Sequence, residues 1–171
     1  MAEAAHELSR RRPGVQFLVP IAPGLNAEKI QDRLSGLEAG VVFGQARQVL
    51  AASRAALVCS GTAALEAASC LTPLVVVYKA SPLSYLIGRA LIHGVRHIAM
   101  PNLIAGEKIV PELVQSRATP EAMVEAILPL LEEGRVREET IGGLARVKDR
   151  LGPPGAIRRA ALKTLEILQK G

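Results

Sequence analysis

In this 171-residue chain the residues best spaced for chemistry are Ser60-Gly61-Thr62 and, four positions after Thr62, Glu66. The apolar run 55–59 stops at Ser60, Gly61 lets the backbone turn closely, and Ala63-Ala64-Leu65-Glu66-Ala67-Ala68 then favours helix. A strand–turn–helix of this kind leaves backbone N–H groups free at the helix start. Together with the positive end of the helix dipole they make an anion site. Glu66 is one position too far from Thr62 for a capping box, and Ser60 has Ala63 at the capping spacing. Thr62 and Glu66 instead share one helix face near its N-terminal end. An acid there can accept hydrogen bonds from a hydroxylated ligand whose phosphate sits at the turn. A helix whose Glu simply complements the dipole accounts for the same residues, so this stretch alone leaves both readings open.

Other candidates are weaker. Lys79 ends the run Leu74–Tyr78, where it reaches a phosphate or stands as a surface lysine. Arg89, His93 and Arg96 share a helix face if that helix persists past Gly94; the face suits an anionic lipid or acyl-sugar phosphate, or is simply solvated. His93 and His97 lack a third ligand, and Asp32 and Asp149 are the only aspartates, so neither metal nor cofactor is expected. Cys59 and Cys70 show no C-x-x-C spacing and read as reduced core thiols of a cytosolic protein. No Ser-His-Asp or Cys-His arrangement follows from spacing.

These residues need a framework, and the totals bound it. The length suits one domain with a real core. With two Tyr, two Phe and no Trp, that core is Ala, Leu, Val and Ile, and base-stacking platforms for nucleic acid are not expected. A net charge of +5 permits nucleotide phosphates, anionic lipid or nucleic acid and selects none of them. No signal peptide and no apolar run of membrane-spanning length is seen, so a soluble protein is expected, at most resting on a membrane surface.

Apolar runs at 15–19, 40–43, 55–59, 74–78 and 97–100 read as strands. Helices are expected at 1–12, 26–34 (capped by Asn26), 45–53, from the Ser60 turn to about 70, and from Pro82 to Gly94. After a loop at 101–106, further helices are expected at 110–115, 120–132, 135–151 and 156–170, the last beyond the break Gly152-Pro153-Pro154-Gly155. Alternating strands and helices predict an α/β fold with a doubly wound, Rossmann-like parallel sheet. Ligands of such sheets bind beyond the strand C-termini at the switch point, where the Ser60 turn would lie.

An ordered series of motifs carries a further resemblance. Ser-Gly-Thr-Ala-Ala-Leu-Glu (60–66), Thr72-Pro73 with Val75-Val76-Val77-Tyr78-Lys79, Ser81-Pro82-Leu83-Ser84-Tyr85, Pro101-Asn102-Leu103-Ile104-Ala105-Gly106 and Val110-Pro111-Glu112-Leu113 follow one another. That series resembles the C-terminal half of lipid-A-disaccharide synthases, clearly over about 13–131. The resemblance implies a GT-B glycosyltransferase with two Rossmann-like domains facing a cleft. Such an enzyme transfers 2,3-diacylglucosamine from its UDP donor to 2,3-diacylglucosamine 1-phosphate, at the cytoplasmic face of the inner membrane of a Gram-negative bacterium. It implies Ser60, Gly61 and Thr62 at the donor diphosphate, Glu66 at the ribose and Asn102 in a second donor-side loop, with Lys79 and Gly106 as lesser candidates. It also implies a UDP-sugar domain over 1–151 and a terminal crossover helix over 156–171, whose apolar positions Ile157, Ala161, Leu165 and Leu168 need a partner.

Two departures bear on this. The family's first strand with its Gly-Ser-Arg phosphate loop has no counterpart here, nor has the N-terminal domain with the catalytic acids. Glu107-Lys108 also stands where many relatives have a basic residue followed by an acid. The sheet is therefore expected to lack its central first strand, leaving two flanking strands unpaired or forced together. A separate N-terminal half or a homo-oligomer is the expected partner. A non-catalytic nucleotide-binding or interaction module is the competing reading, and another GT-B transferase or a UDP-sugar epimerase a third.

Overall fold

The molecule is built on a strand in which every position but the last is buried. Leu74–Tyr78 is continuously apolar because it lies between two other strands and under helices on both faces. The computed structural model describes residues 1–59, 61–81, 97–153 and 155–168. Ser60, the helix expected after Pro82 and its Arg89, His93 and Arg96 lie outside the described residues.

In chain order the elements are α1 (Ala2–Arg11), β1 (Phe17–Ile21), α2 (Ala27–Arg33), β2 (Ala39–Phe43), α3 (Ala46–Ala52), β3 (Ala56–Cys59), α4 (Thr62–Ser69) and β4 (Leu74–Tyr78). Beyond the undescribed stretch follow α5 (Met100–Ala105), β5 (Glu112–Val114), a 3₁₀ turn (Gln115–Arg117), α6 (Pro120–Leu131), α7 (Arg135–Leu151) and α8 (Ala156–Leu168). All strand pairs are parallel, as the α/β alternation predicts.

The strands form two sheets, ordered β1-β2 and β3-β4-β5. Leu74 and Val76 of β4 join Val58 of β3, Leu50 of α3, Ala64, Ala67 and Ala68 of α4, and Leu144 and Val147 of α7. Val75 and Val77 face the other way, onto Ala4 and Leu8 of α1 and Met123, Val124, Ile127 and Leu130 of α6. Phe17 of β1 and Leu57 of β3 pack against that second cluster too, so the two sheets share one helical layer. No strand bridges β1 and β3 among the described residues. Of the two expected outcomes for a doubly wound sheet without its first strand, the flanking strands stand unpaired rather than forced together.

Ion pairs hold α1 to α6. Arg11 donates to Glu7 at 2.7 Å and to Glu125, and Arg12 pairs with Glu132 at 2.7 Å. The hydrogen bonds from Arg11 and then Arg10 hold the Glu7 carboxyl below its ordinary pKa.

Several local expectations are corrected. The strand expected at 97–100 and the loop at 101–106 are replaced by α5. Pro101 sits in its first turn, where a missing N–H costs nothing, and Gly106 ends it in the left-handed conformation at φ +75°. The helix expected at 110–115 is instead β5 and the 3₁₀ turn, because pairing Glu112–Val114 with Val76–Tyr78 outweighs local preference. Strand β1 is shifted two residues along, through Pro20, by its register with β2. Cys59 is exposed rather than a core thiol, whereas Cys70 is half-buried; both are free.

Helix α8 has no buried residue, and Ile157 is 89% exposed. No helix among the described residues is long and apolar enough to cross a membrane.

Two adjacent glycines of α7 test the packing. A Cβ on Gly143 meets Ile109 Cβ at 2.9 Å, whereas one on Gly142 meets nothing within 4 Å. Gly143→Ala should lower the unfolding free energy by about 1–3 kcal/mol through overpacking. Gly142→Ala should raise it by about 0.5–1 kcal/mol through helix propensity. Urea melts of the two variants check both signs.

Candidate functional site

Strands β3 and β4 end side by side, and their C-terminal ends open into a cavity of about 310 Å³. Its walls are Cys59, Val77 and Lys79 from the strand ends, Met1 and Glu3 from the start of α1, and Ala118, Pro120 and Met123 from the approach to α6. This is where ligands of parallel α/β sheets bind. A larger cavity of about 490 Å³ lies at the other end, where residues 107–111 lead into β5 beside α7. Arg146 and Glu107 pair across its rim at 2.8 Å.

Beyond Cys59, Gly61 adopts φ +133° and ψ −155°, a conformation rarely open to residues with a Cβ. It is the N-cap of α4; the Ala64 N–H donates to its carbonyl at 3.2 Å, and among the described residues no side chain caps the N–H groups of Thr62 and Ala63. Thr62 and Glu66 are exposed one turn apart on α4, and neither side chain has a hydrogen bond or ion pair with the described residues. Lys79 is exposed on the cavity wall. The structure therefore gathers Gly61, Thr62, Glu66 and Lys79 at one end of the β3-β4-β5 sheet, although of these only Lys79 lines the cavity. A turn with free N–H groups and a cation suits a phosphate, and an unpaired carboxylate suits sugar hydroxyls.

Asn102 is in a different situation. It is fully buried, and all four of its hydrogen-bonding positions are used internally. Its Nδ2 donates to the Val110 carbonyl at 2.9 Å and to Glu112 Oε1 at 2.7 Å. Its Oδ1 accepts from the N–H groups of Ile109 at 2.8 Å and Val110 at 2.9 Å. An amide so occupied has no hydrogen-bonding position left over, so Asn102 shapes the loop it crosses. Gly106 is likewise explained by the α5 cap, its N–H donating to the Asn102 carbonyl at 2.8 Å.

Sequence reading quoted Glu112 within a motif but gave it no role. Its carboxylate also accepts from the N–H groups of Ile98 at 3.0 Å and Ala99 at 3.1 Å, and His97 Nδ1 lies 3.7 Å away. It thereby fixes the backbone that leads into α5, at the N-cap residue Ala99 and the residue before it. The available signal was a lone acid set between Val110-Pro111 and Leu113-Val114.

Comparison with known proteins decides the family. The sequence model described as lipid-A-disaccharide synthetase matches residues 1–153. The chain belongs to the lipid-A-disaccharide synthetase family. It is 45% identical, over 100% of its own length, to the lipid-A-disaccharide synthase of Myxococcus xanthus. It is 43% identical over 99% of its length to that of Anaeromyxobacter dehalogenans strain 2CP-C, and 41% over 98% to that of Geobacter metallireducens. The chain spans 45% of the length of the first two of these synthases and 44% of the third. In the synthases the matching part is the C-terminal half.

Asn102→Ala leaves the part-buried N–H of Ile109, the buried N–H of Val110 and the Val110 carbonyl without the side-chain partner they have in Asn102, while Glu112 Oε1 keeps only the Ala99 N–H. It should lower the unfolding free energy by about 3 kcal/mol. Glu66→Ala, at an exposed and unpaired position, should change it by less than ~0.5 kcal/mol. Chemical denaturation of both variants checks the contrast.

Proposed function

We propose that this chain is the donor-nucleotide half of a lipid-A-disaccharide synthase. The reaction transfers 2,3-diacylglucosamine from its UDP donor to 2,3-diacylglucosamine 1-phosphate, by displacement at the anomeric carbon. An acceptor hydroxyl forms the new bond, the bond to the diphosphate breaks, and UDP leaves with the electron pair. Family membership supports the reaction class. The observation that carries the assignment of the nucleotide to this chain is the uncapped turn at Gly61, with Glu66 unpaired one turn beyond.

In this reading the N–H groups at the start of α4, with Ser60 and Thr62, hold the diphosphate, and Lys79 adds positive charge. They stabilise the leaving group without a metal or other cofactor. Glu66 accepts from the ribose hydroxyls, and Asn102 and Gly106 shape the adjoining loop. The base that takes the acceptor proton belongs to the facing half, supplied by a separate N-terminal polypeptide or an associated copy. Residues 1–151 form the donor domain and 156–171 the crossover to that facing half. The assembly works at the cytoplasmic face of the inner membrane, against an anionic surface. The net charge of +5 and the acyl chains of both substrates support that placement.

Titration with UDP tests the reading. The chain should bind UDP, and Glu66→Ala should weaken binding at least ~10-fold, since a hydrogen bond to a charged group contributes about 1.5–3 kcal/mol. Equal affinities would remove Glu66 from the site, and no binding by either form would point to a non-catalytic remnant. The purified chain alone should make no disaccharide from the two substrates; detectable product would contradict the division of labour.

A further inference from the structure

We propose that the cavity beside Lys79 receives the acylated sugar of the donor, and that Gln115 donates a hydrogen bond to a carbonyl of its acyl groups. This rests on the donor reading above and extends it from the nucleotide to the part that is transferred. Gln115 follows Val114, the last residue of β5, which pairs with Tyr78 at the end of β4. Its side chain reaches the segment after Lys79, where Oε1 accepts from the Ala80 N–H at 3.0 Å. Because that partner is an N–H, the amide presents its oxygen there and keeps its two Nε2 hydrogens for another acceptor. Nε2 has no partner among the described residues.

The backbone at Gln115 is left-handed, at φ +53°. Glycine holds that conformation at lower cost, so what glutamine adds is its amide. Half of the amide fixes the chain beyond β4, and the other half remains a donor at the end of the sheet where ligands bind. The Gln115 carbonyl accepts from the Ala118 N–H at 3.0 Å, and Ala118 and Lys79 are both walls of the cavity. Gln115 is thus tied to one wall residue directly and to the neighbour of the other.

The occupant follows from the two faces of β4. Helix α4 packs with Leu74 and Val76, whereas the cavity opens on the Val77 side, against α6. The Gly61 turn lies beyond the end of β3, where the strand gives way to α4. In a sugar nucleotide the diphosphate joins the ribose to the sugar. With the diphosphate at that turn and the ribose at Glu66 on α4, the sugar extends to the opposite face. The floor there is apolar. Val77, Ala118 and Met123 are buried and belong to one cluster, while Lys79, Glu3 and Cys59 are exposed. A cavity of about 310 Å³ with an apolar floor and polar groups around it suits the first methylenes of an acyl chain, whose carbonyl then needs a donor.

Calorimetric titration of the full chain with UDP and with a short-chain UDP-2,3-diacylglucosamine tests this. The acylated donor should bind at least ~10-fold more tightly than UDP, the gain from burying about two methylene groups. Ala118→Leu, which fills the floor, should bring that ratio to within ~3-fold of one. Gln115→Glu keeps an acceptor for Ala80 and removes the donor, and should lower the ratio ~5-fold. Taking the ratio cancels the effect of the added charge on the diphosphate that both ligands share. A wild-type ratio near one would overturn the proposal, and so would a ratio that survives either substitution. Glu66→Ala separates the two readings. Weakened binding of both ligands beside a wild-type ratio near one rejects the acyl contact alone. A ratio that falls in both variants, with Glu66→Ala without effect, upholds the acyl contact and rejects the ribose assignment alone.

Discussion

The fold depends on β4 having a partner on each edge and a helical layer on each face. Alternate valines of Leu74–Tyr78 serve two separate clusters, so no position of the strand before Tyr78 is free to change character. Parallel strands need such cover because their crossover helices lie on both faces, and burying the backbone leaves no water to satisfy its polar groups. The edges of this arrangement differ. On the β5 side the sheet is completed by a local polar lock. On the β3 side a strand edge has no partner among the described residues, beside the helical layer that β1 also joins.

The polar lock is the Asn102–Glu112 pair. Asn102 binds the backbone at 109 and 110, and Glu112 binds the backbone at 98 and 99, so two short segments close on one another across the end of β5. Buried and fully satisfied, such a network rigidifies the loop it crosses, and a missing partner would leave charge or N–H groups stranded. That rigidity serves the site indirectly, since α4, which carries Gly61, Thr62 and Glu66, packs against α5 and α7. The groups available to a ligand are those without internal partners, and Asn102 is not among them.

A motif records that certain residue types recur in order, without distinguishing those that touch a ligand from those that hold the loop. Asn102 and Gly106 carry motif signal for the second reason, the one through a saturated amide and the other through a left-handed cap. The tight turn at Gly61, the helical spacing of Thr62 and Glu66 and the place of Lys79 just past the end of β4 were legible because they depend on local facts: a strand end, a tight turn and one helical turn. The two failed elements, 97–100 and 110–115, share a cause. Both are short apolar stretches next to proline, where a strand and a helix cost nearly the same locally and distant pairing decides.

By itself the sequence determined the alternation of strands and helices, the continuous apolar character of β4, the cap at Asn26, and the glycine-bearing turn ahead of α4. Each follows from neighbours a few residues apart, through periodicity or a required backbone angle. Tertiary structure alone decided that Glu112 belongs to a strand and binds the backbone ahead of α5, that Asn102 has no free hydrogen-bonding position, that Cys59 is exposed, and that β1 and β3 stand unpaired rather than forced together. Those outcomes depend on which backbone groups find partners across the chain, and hydrogen-bond saturation is a property of the packed molecule that no local pattern encodes.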